Sequence, residues 1–296
     1  MIIVRLSDGL GNQMFQYALA KKLALLNNTE VVFDMSWYEI NKHRGRRLFQ
    51  LAVFPLNCRR INEVGAIGEF WLKNVHFTRN IYRKLAKYHS KKLLGQGQFI
   101  IEQSPRFDAT VVERAKDKNV YLQGYWQTEQ YFADIRSDIL KDFRFLPELT
   151  ADNLAVAQRI EASANPVALH IRRGDYLNTN FALCSLDYYA RGIQYLSDRL
   201  GKLQIFVFSN DIPWAKENLK TRQELNFVAS NNEDKGYADI QLMSMCHHHI
   251  IANSSFSWWG AWLSTYANKI VVAPQQWVRD NNSEYADVVP REWVRM

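Results

Sequence analysis

Apolar and polar positions along this chain follow two alternating spacings. Residues 2 to 6, Ile-Ile-Val-Arg-Leu, form a short apolar run that Ser7-Asp8-Gly9 closes. Helical spacing follows from Gln13 to Asn27, and a second short run spans Glu30 to Asp34. Together they predict a β-α-β opening. Residues 40 to 130 have long basic and aromatic stretches with few clean periods, and helices with insertions are expected there. The second half is clearer. Strands are predicted at Val167 to Ile171, Leu203 to Ser209, Leu225 to Ala229, His249 to Ala252 and Lys269 to Ala273. Helices are predicted between them at Leu186 to Leu200, Ile212 to Leu219, Tyr237 to Met245 and Ser255 to Tyr266. Strands that alternate with helices imply a parallel sheet covered on both faces. The small polar stretch from Glu161 to Pro166 marks a boundary, so the expected domains are 1–162 and 163–296. Two such domains would leave a cleft, with ligands beyond the carboxyl ends of the strands.

Unusual residues gather at those ends. The first strand runs into Ser7-Asp-Gly-Leu-Gly-Asn-Gln13, where Gly9 and Gly11 permit close backbone approach and the following helix offers free amides. A dinucleotide fingerprint would need a third glycine where Met14 stands, so the segment reads either as a simple turn or as a ligand loop. In His170-Ile-Arg-Arg-Gly-Asp-Tyr176, extended geometry would put His170 and Arg172 on one face and Arg173 and Asp175 on the other. A pair of arginine forks matches the oxygens of a diphosphate. Asp175 would either aim an arginine or act on a proton. Asp239 is a lone carboxylate in an otherwise apolar helix, able to accept two hydrogens from the N1 and N2 edge of guanine or to favour a helix start. Ser254 and Ser255 at a helix start form a phosphate seat, with Phe256 beside it near a base. The run His247-His248-His249 sits at a strand start, where alternating faces keep the rings from converging on a metal.

Composition narrows the class. Hydrophobic residues make up 47% and charged residues 23%, ordinary for a folded chain, and 13% aromatics supply flat faces for stacking on sugars. A net charge of +7 favours an anionic partner. Three scattered cysteines, Cys58, Cys184 and Cys246, fit a reducing compartment. With no signal-peptide pattern and no apolar run of about 18 residues, a cytoplasmic location is expected. Basic residues crowd into Lys42 to Arg47 and into Arg79 to Lys92. The second stretch, read as a helix, would be an amphipathic basic surface suited to anionic lipid headgroups or simply a solvated face.

Five segments in order, GLGNQMFQYA at 9–18, GYWQTEQYF at 124–132, HIRRGDY at 170–176, FSNDIPWA at 208–215 and NSSFSWWGAWL at 253–263, resemble the bacterial-type α-1,2-fucosyltransferases, glycosyltransferase family eleven. The resemblance implies the GT-B arrangement, two Rossmann-like domains facing each other across a cleft. It implies an inverting transfer of fucose from GDP-fucose to the 2-hydroxyl of a terminal β-galactoside, with no cofactor and no required metal. No Asp-x-Asp triplet occurs, which agrees independently with metal independence. By similarity, Arg172 holds the GDP phosphates, His170 and Arg173 shape the same site, Asp239 reads guanine, and Ser254, Ser255 and Phe256 contact the nucleotide. Gly11 and Asn12 would reach toward fucose and phosphate from the N-terminal loop, and Gly124 to Gln127 would face the acceptor. Asp175 is the candidate base. The implied partners are GDP-fucose and a galactose-terminated glycan in surface-glycan synthesis, with a peripheral contact to anionic membrane and no nucleic acid. The rivals are another GDP-sugar transferase and a non-catalytic glycan-binding protein.

Overall fold

The computed structural model describes residues 1–41, 48–61, 97–116, 118–174, 182–280 and 282–296. The basic stretches at Lys42 to Arg47 and Arg79 to Lys92, and Asp175, lie outside the described residues. The chain divides into two compact units, Met1–Leu146 and Pro147–Met296.

The first unit is a five-stranded parallel sheet in the order β3-β2-β1-β5-β4, formed by β1 (Ile2–Arg5), β2 (Val31–Asp34), β3 (Arg59–Ile61), β4 (Gln98–Ile101) and β5 (Val120–Gln123). The expected β-α-β opening is present, with α1 (Leu10–Leu26) between β1 and β2. Most of α1 is buried, including the polar Gln13 and Gln16, so its residues show no single exposed stripe. The short helices α2 (Ser36–Asn41), α3 (Thr110–Ala115) and α4 (Arg136–Asp142) complete the described part of this unit.

The second unit is a six-stranded parallel sheet in the order β11-β10-β9-β6-β7-β8. Its strands are β6 (Pro166–Ile171), β7 (Gln204–Ser209), β8 (Glu224–Val228), β9 (His248–Ile250), β10 (Val271–Ala273) and β11 (Val294–Arg295). The helices are α5 (Ala151–Glu161), α6 (Leu186–Leu200), α7 (Ile212–Asn218), α8 (Gly236–Met245) and α9 (Ser255–Leu263). Central β6 is buried at every position, as a strand covered on both faces must be. Local chemistry sets the helix ends. Ser185 caps α6 by accepting from Tyr188 N, and Gly201 ends it at φ +75°. Asp211 caps α7 by accepting from Trp214 N at 3.2 Å, with Pro213 in the first turn.

The division falls at Leu146/Pro147 instead of at the polar stretch after Glu161. Helix α5, which a boundary drawn from the composition of 161–166 leaves in the first domain, packs against α8, and its Val156, Ala157 and Ile160 are buried. Helix α9 stops at Leu263, three residues short of the expected end, and β11 was too brief to show in the pattern. Among the described residues, no helix is long and apolar enough to cross a membrane.

Candidate active site

In the second unit the carboxyl ends of β6 and β9 bring most of the expected residues into one neighbourhood. His170, 3% exposed near the end of β6, has its carbonyl anchored by the Tyr189 hydroxyl at 3.1 Å. Its ring lies 5.6 Å from that of Phe256 in the first turn of α9. Phe256 in turn covers Gly236 at the start of α8: a Cβ there would sit 3.3 Å from Phe256 Cε2, so any larger residue would push the ring. Asp239 lies one turn further along α8. A connected path therefore runs from the end of β6 over Phe256 to the helix that carries the acid.

The turn before α9 is built for rigidity. The Asn253 amide donates to the carbonyls of Ala182 and Trp277, each at 2.7 Å, and Ser254 Oγ accepts from Phe256 N at 3.4 Å. Ser254 is 5% exposed, and Ser255 opens the helix. The amides of this first turn carry the positive end of the helix dipole, which suits a phosphate.

The strand geometry assumed for HIRRGDY does not reach its arginines. Both lie beyond the last residue of β6. Arg173 is engaged: its N–H donates to Asn210 Oδ1 at 3.0 Å, its Nε lies 3.7 Å from Asp211 Oδ2, and its guanidinium stands 4.3 Å over the Trp214 ring. That ion pair and cation–π stack make Arg173 a brace between β6 and α7. Arg172, beside it, is likewise half-buried.

Asp239 is mostly buried, and burial pushes its pKa up to about 7 against the pull of a hydrogen bond from Asn231. Asn231 Nδ2 donates to Asp239 Oδ1 at 2.6 Å and also to Asn153 Oδ1 at 3.1 Å, while Asn153 Nδ2 donates back to Asn231 Oδ1 at 2.8 Å. Sequence reading missed both amides. For Asn153 a signal existed: it is the polar member of a buried stripe at Asn153, Val156, Ala157 and Ile160. Asn231 lies in a polar loop and carried none.

Gly11 and Asn12 belong to the first unit, at the carboxyl end of β1. Asn12 Oδ1 accepts from Gln127 Nε2 at 2.7 Å, which ties the N-terminal loop to the segment after β5. Asp8, at φ 59°, carries its side chain toward Tyr125, whose hydroxyl donates to Asp8 Oδ2. Trp126 also adopts φ 59°, an unfavourable conformation for a bulky residue that its surroundings must impose. The Glu102 carboxylate supplies part of that constraint, accepting from Tyr125 N at 2.6 Å and Trp126 N at 2.8 Å. Burial raises the Glu102 pKa even so. Gln16 completes the scaffold by donating to Ser7 Oγ at 2.8 Å and the Gly124 carbonyl at 3.1 Å.

The histidine run does not converge. His247 stacks on Tyr266 at 4.0 Å, while His248 Nδ1 accepts from Ile270 N at 3.1 Å inside the core.

Two bacterial proteins match this chain over nearly its full length, and an animal protein matches about half of it. The Escherichia coli alpha-1,2-colitosyltransferase is 32% identical over 306 aligned positions, which cover 100% of this chain and 99% of that protein. The Escherichia coli O-antigen biosynthesis glycosyltransferase WbnK is 34% identical, covering 98% and 99%. The Bos taurus galactoside alpha-(1,2)-fucosyltransferase 2 is 26% identical over 155 positions, 49% of this chain and 45% of that protein. Two solved structures share the fold of two parallel-sheet α/β units found in GT-B fucosyltransferases. Fucosyltransferase NodZ from Bradyrhizobium has a TM-score of 0.51 at 13% identity, covering 88% of this chain and 92% of its own. A FUT1 variant from Arabidopsis thaliana in complex with GDP has a TM-score of 0.53 at 12% identity, covering 92% and 70%. The model of glycosyl transferase family 11 matches residues 1–296, and the chain belongs to that family.

Proposed function

We propose that this glycosyltransferase moves L-fucose from GDP-fucose to the 2-hydroxyl of a terminal β-galactoside, inverting the anomeric centre without a metal, in the assembly of a surface glycan. The observation that carries the donor assignment is the path along one sheet edge from His170 over Phe256 to α8 with its buried Asp239. The acceptor oxygen bonds to fucose C1 as the bond from C1 to the diphosphate oxygen breaks. Negative charge then builds on the departing GDP, where Arg172 and the first-turn amides of α9 neutralise it. Asp239, ionised, accepts from N1–H and N2–H of guanine. Asp175 is the candidate to take the acceptor's proton. Tyr125, 43% exposed, offers an aromatic face on which a galactose ring would rest, while Trp126 is buried beneath it as support.

A second donor is favoured by the likeness to an alpha-1,2-colitosyltransferase. Colitose is fucose without its 3-hydroxyl, so both sugars reach C1 by the same chemistry. The decisive experiment offers GDP-fucose, GDP-colitose and GDP-mannose with lactose, with and without a chelator, and measures GDP release and product linkage. Chelator-resistant α-1,2 transfer of fucose is expected. Preference for GDP-colitose would move the assignment to the second donor, and transfer only of mannose, or no transfer to any of a panel of galactosides, would overturn it. For the basic stretch Arg79 to Lys92, sedimentation with anionic vesicles at low salt is expected to carry the protein down; a protein left in the supernatant would end the proposed membrane contact.

A further inference from the structure

We propose that Asn153 and Asn231 act as positioning residues for the guanine site, locking the Asp239 carboxylate in one direction as a hydrogen-bond acceptor so that discrimination for guanine depends on two amides acting through Asp239. The inference rests on the reading of Asp239 as the guanine-binding acid and adds how that acid is held.

The geometry is specific. Asn153 and Asn231 form a reciprocal amide pair, each donating to the other's oxygen at 2.8 and 3.1 Å. The pair uses one N–H of Asn231 and leaves the second for Asp239 Oδ1 at 2.6 Å. Ser230 Oγ donates to Asn153 Oδ1 at 3.2 Å, which further fixes the amide's orientation. Asn153 is 1% exposed on α5, so the anchor belongs to the packed interior instead of to the loop that carries Asn231. Among the described residues, Asp239 Oδ2 takes no hydrogen bond from the protein, which leaves that oxygen for a ligand.

The charge environment explains why such a device is needed. Charged groups on the elements around Asp239 point outward: Asp152, Arg159 and Glu161 on α5, and Asp234 and Lys235 before α8, are exposed, while α9 carries none. Tyr237 is the other titratable group in the described part of α8. Among the described residues no cation contributes to balancing the carboxylate, and a neutral amide donor supports it against burial. Guanine needs the ionised acid. With a pKa of about 7 in the free protein, binding must strengthen as pH rises through neutrality and weaken about tenfold per unit below it. Removing the Asn231 donor raises the carboxyl pKa further and moves that midpoint upward.

The test measures GDP, ADP and inorganic pyrophosphate binding by calorimetry from about pH 5.5 to about 8.5. The ratio of GDP to ADP affinity cancels the ionisation of the phosphates. In the unmodified protein this ratio should rise with pH and level off above neutrality. Asn231→Ala should lower it about tenfold at neutral pH and shift its midpoint up by about one unit, with pyrophosphate binding unchanged. Asn153→Ala should act in the same direction by less, and serves as the test if Asn231→Ala does not fold. An Asn231→Ala profile identical to the unmodified one, or equal loss of GDP and pyrophosphate, would overturn the relay. Failure of the underlying reading looks different: the unmodified protein would then bind GDP no more tightly than ADP, and Asp239→Asn would leave GDP affinity untouched.

Discussion

The two sheets follow one plan and end in different chemistry. At the carboxyl edge of the second sheet the functional candidates are a cation, a helix N-terminus and a buried acid supported by amides: Arg172, the Ser254–Ser255 turn and Asp239. At the corresponding edge of the first sheet they are neutral or acidic and aromatic: Asn12, Gln127, Asp8 and Tyr125. Under the proposed function the first edge would take a neutral polyol, on hydroxyl-matching amides and the exposed Tyr125 ring, and the second a nucleoside diphosphate. The edges also differ in how they are stiffened. The first relies on side chains of a buried helix, Gln13 and Gln16, bonding loop backbone, and it tolerates two residues at φ 59°. The second relies on caps and on an amide pair that joins α5 to the loop before α8. Under the proposed function, one layer architecture would place a ligand at each edge, and the charge at the strand ends would select it.

The largest effect should come from the cation. Arg172→Ala should lower transfer 100-fold or more, about 3 kcal/mol at a developing anion, with an unchanged melting temperature. Near-normal turnover in a folded variant would remove Arg172 from the chemistry and blur the distinction between the edges. Next, Asp239→Asn exchanges a charged acceptor for a neutral amide. Charged hydrogen bonds contribute about 1.5–3 kcal/mol, so GDP affinity should fall about ten- to a hundredfold while pyrophosphate affinity holds.

Acid should separate the units as well. His248 and His249 are buried in the second sheet, and burial pulls both pKa values down, that of His248 to about 4. Unfolded histidines titrate near about 6.5, so between about pH 6.5 and 4 the unfolded chain binds more protons and stability falls as pH falls. Asp239, with its raised pKa, acts in the opposite sense but as one group against two. Hydrogen exchange at mildly acidic pH should therefore show β9 and its neighbours losing protection before β1 and β2; the reverse order would contradict it. The smallest effect belongs to the first edge. Tyr125→Phe removes a half-exposed hydroxyl bonded to Asp8 and should raise the acceptor KM about threefold to tenfold, leaving GDP affinity alone. A change in GDP affinity instead would mean that the first edge also serves the donor.

Much of this was legible beforehand where local and tertiary requirements coincide. The β-α-β opening and the alternation in the second half could be read because buried parallel strands are short and apolar and the helices between them have caps such as Ser185 and Asp211. Residues 40 to 130 resisted reading: of the three described strands there, Arg59–Ile61 and Gln98–Ile101 are short and carry polar or exposed residues, so period gives little signal, and the more apolar Val120–Gln123 is only four residues long. The boundary read from composition differs from the division into compact units because a linker's composition resembles a turn's, and the packing of α5 on α8 is visible only in the fold.

Sequence alone determined the family, the paired α/β layers and the residue types suited to an anionic donor, because ordered motifs and hydrophobic spacing are properties of the chain itself. Tertiary structure decided the assignments that depend on distance. It showed that Arg173 is held by Asp211 and Trp214, that Phe256 joins His170 to the start of α8, and that Asp239 is supported by Asn231 and Asn153. Asn153 and Asn231 stand 78 residues apart in sequence. A hydrogen bond acts over about 3 Å, and no spacing along a chain encodes which distant side chains folding will bring that close.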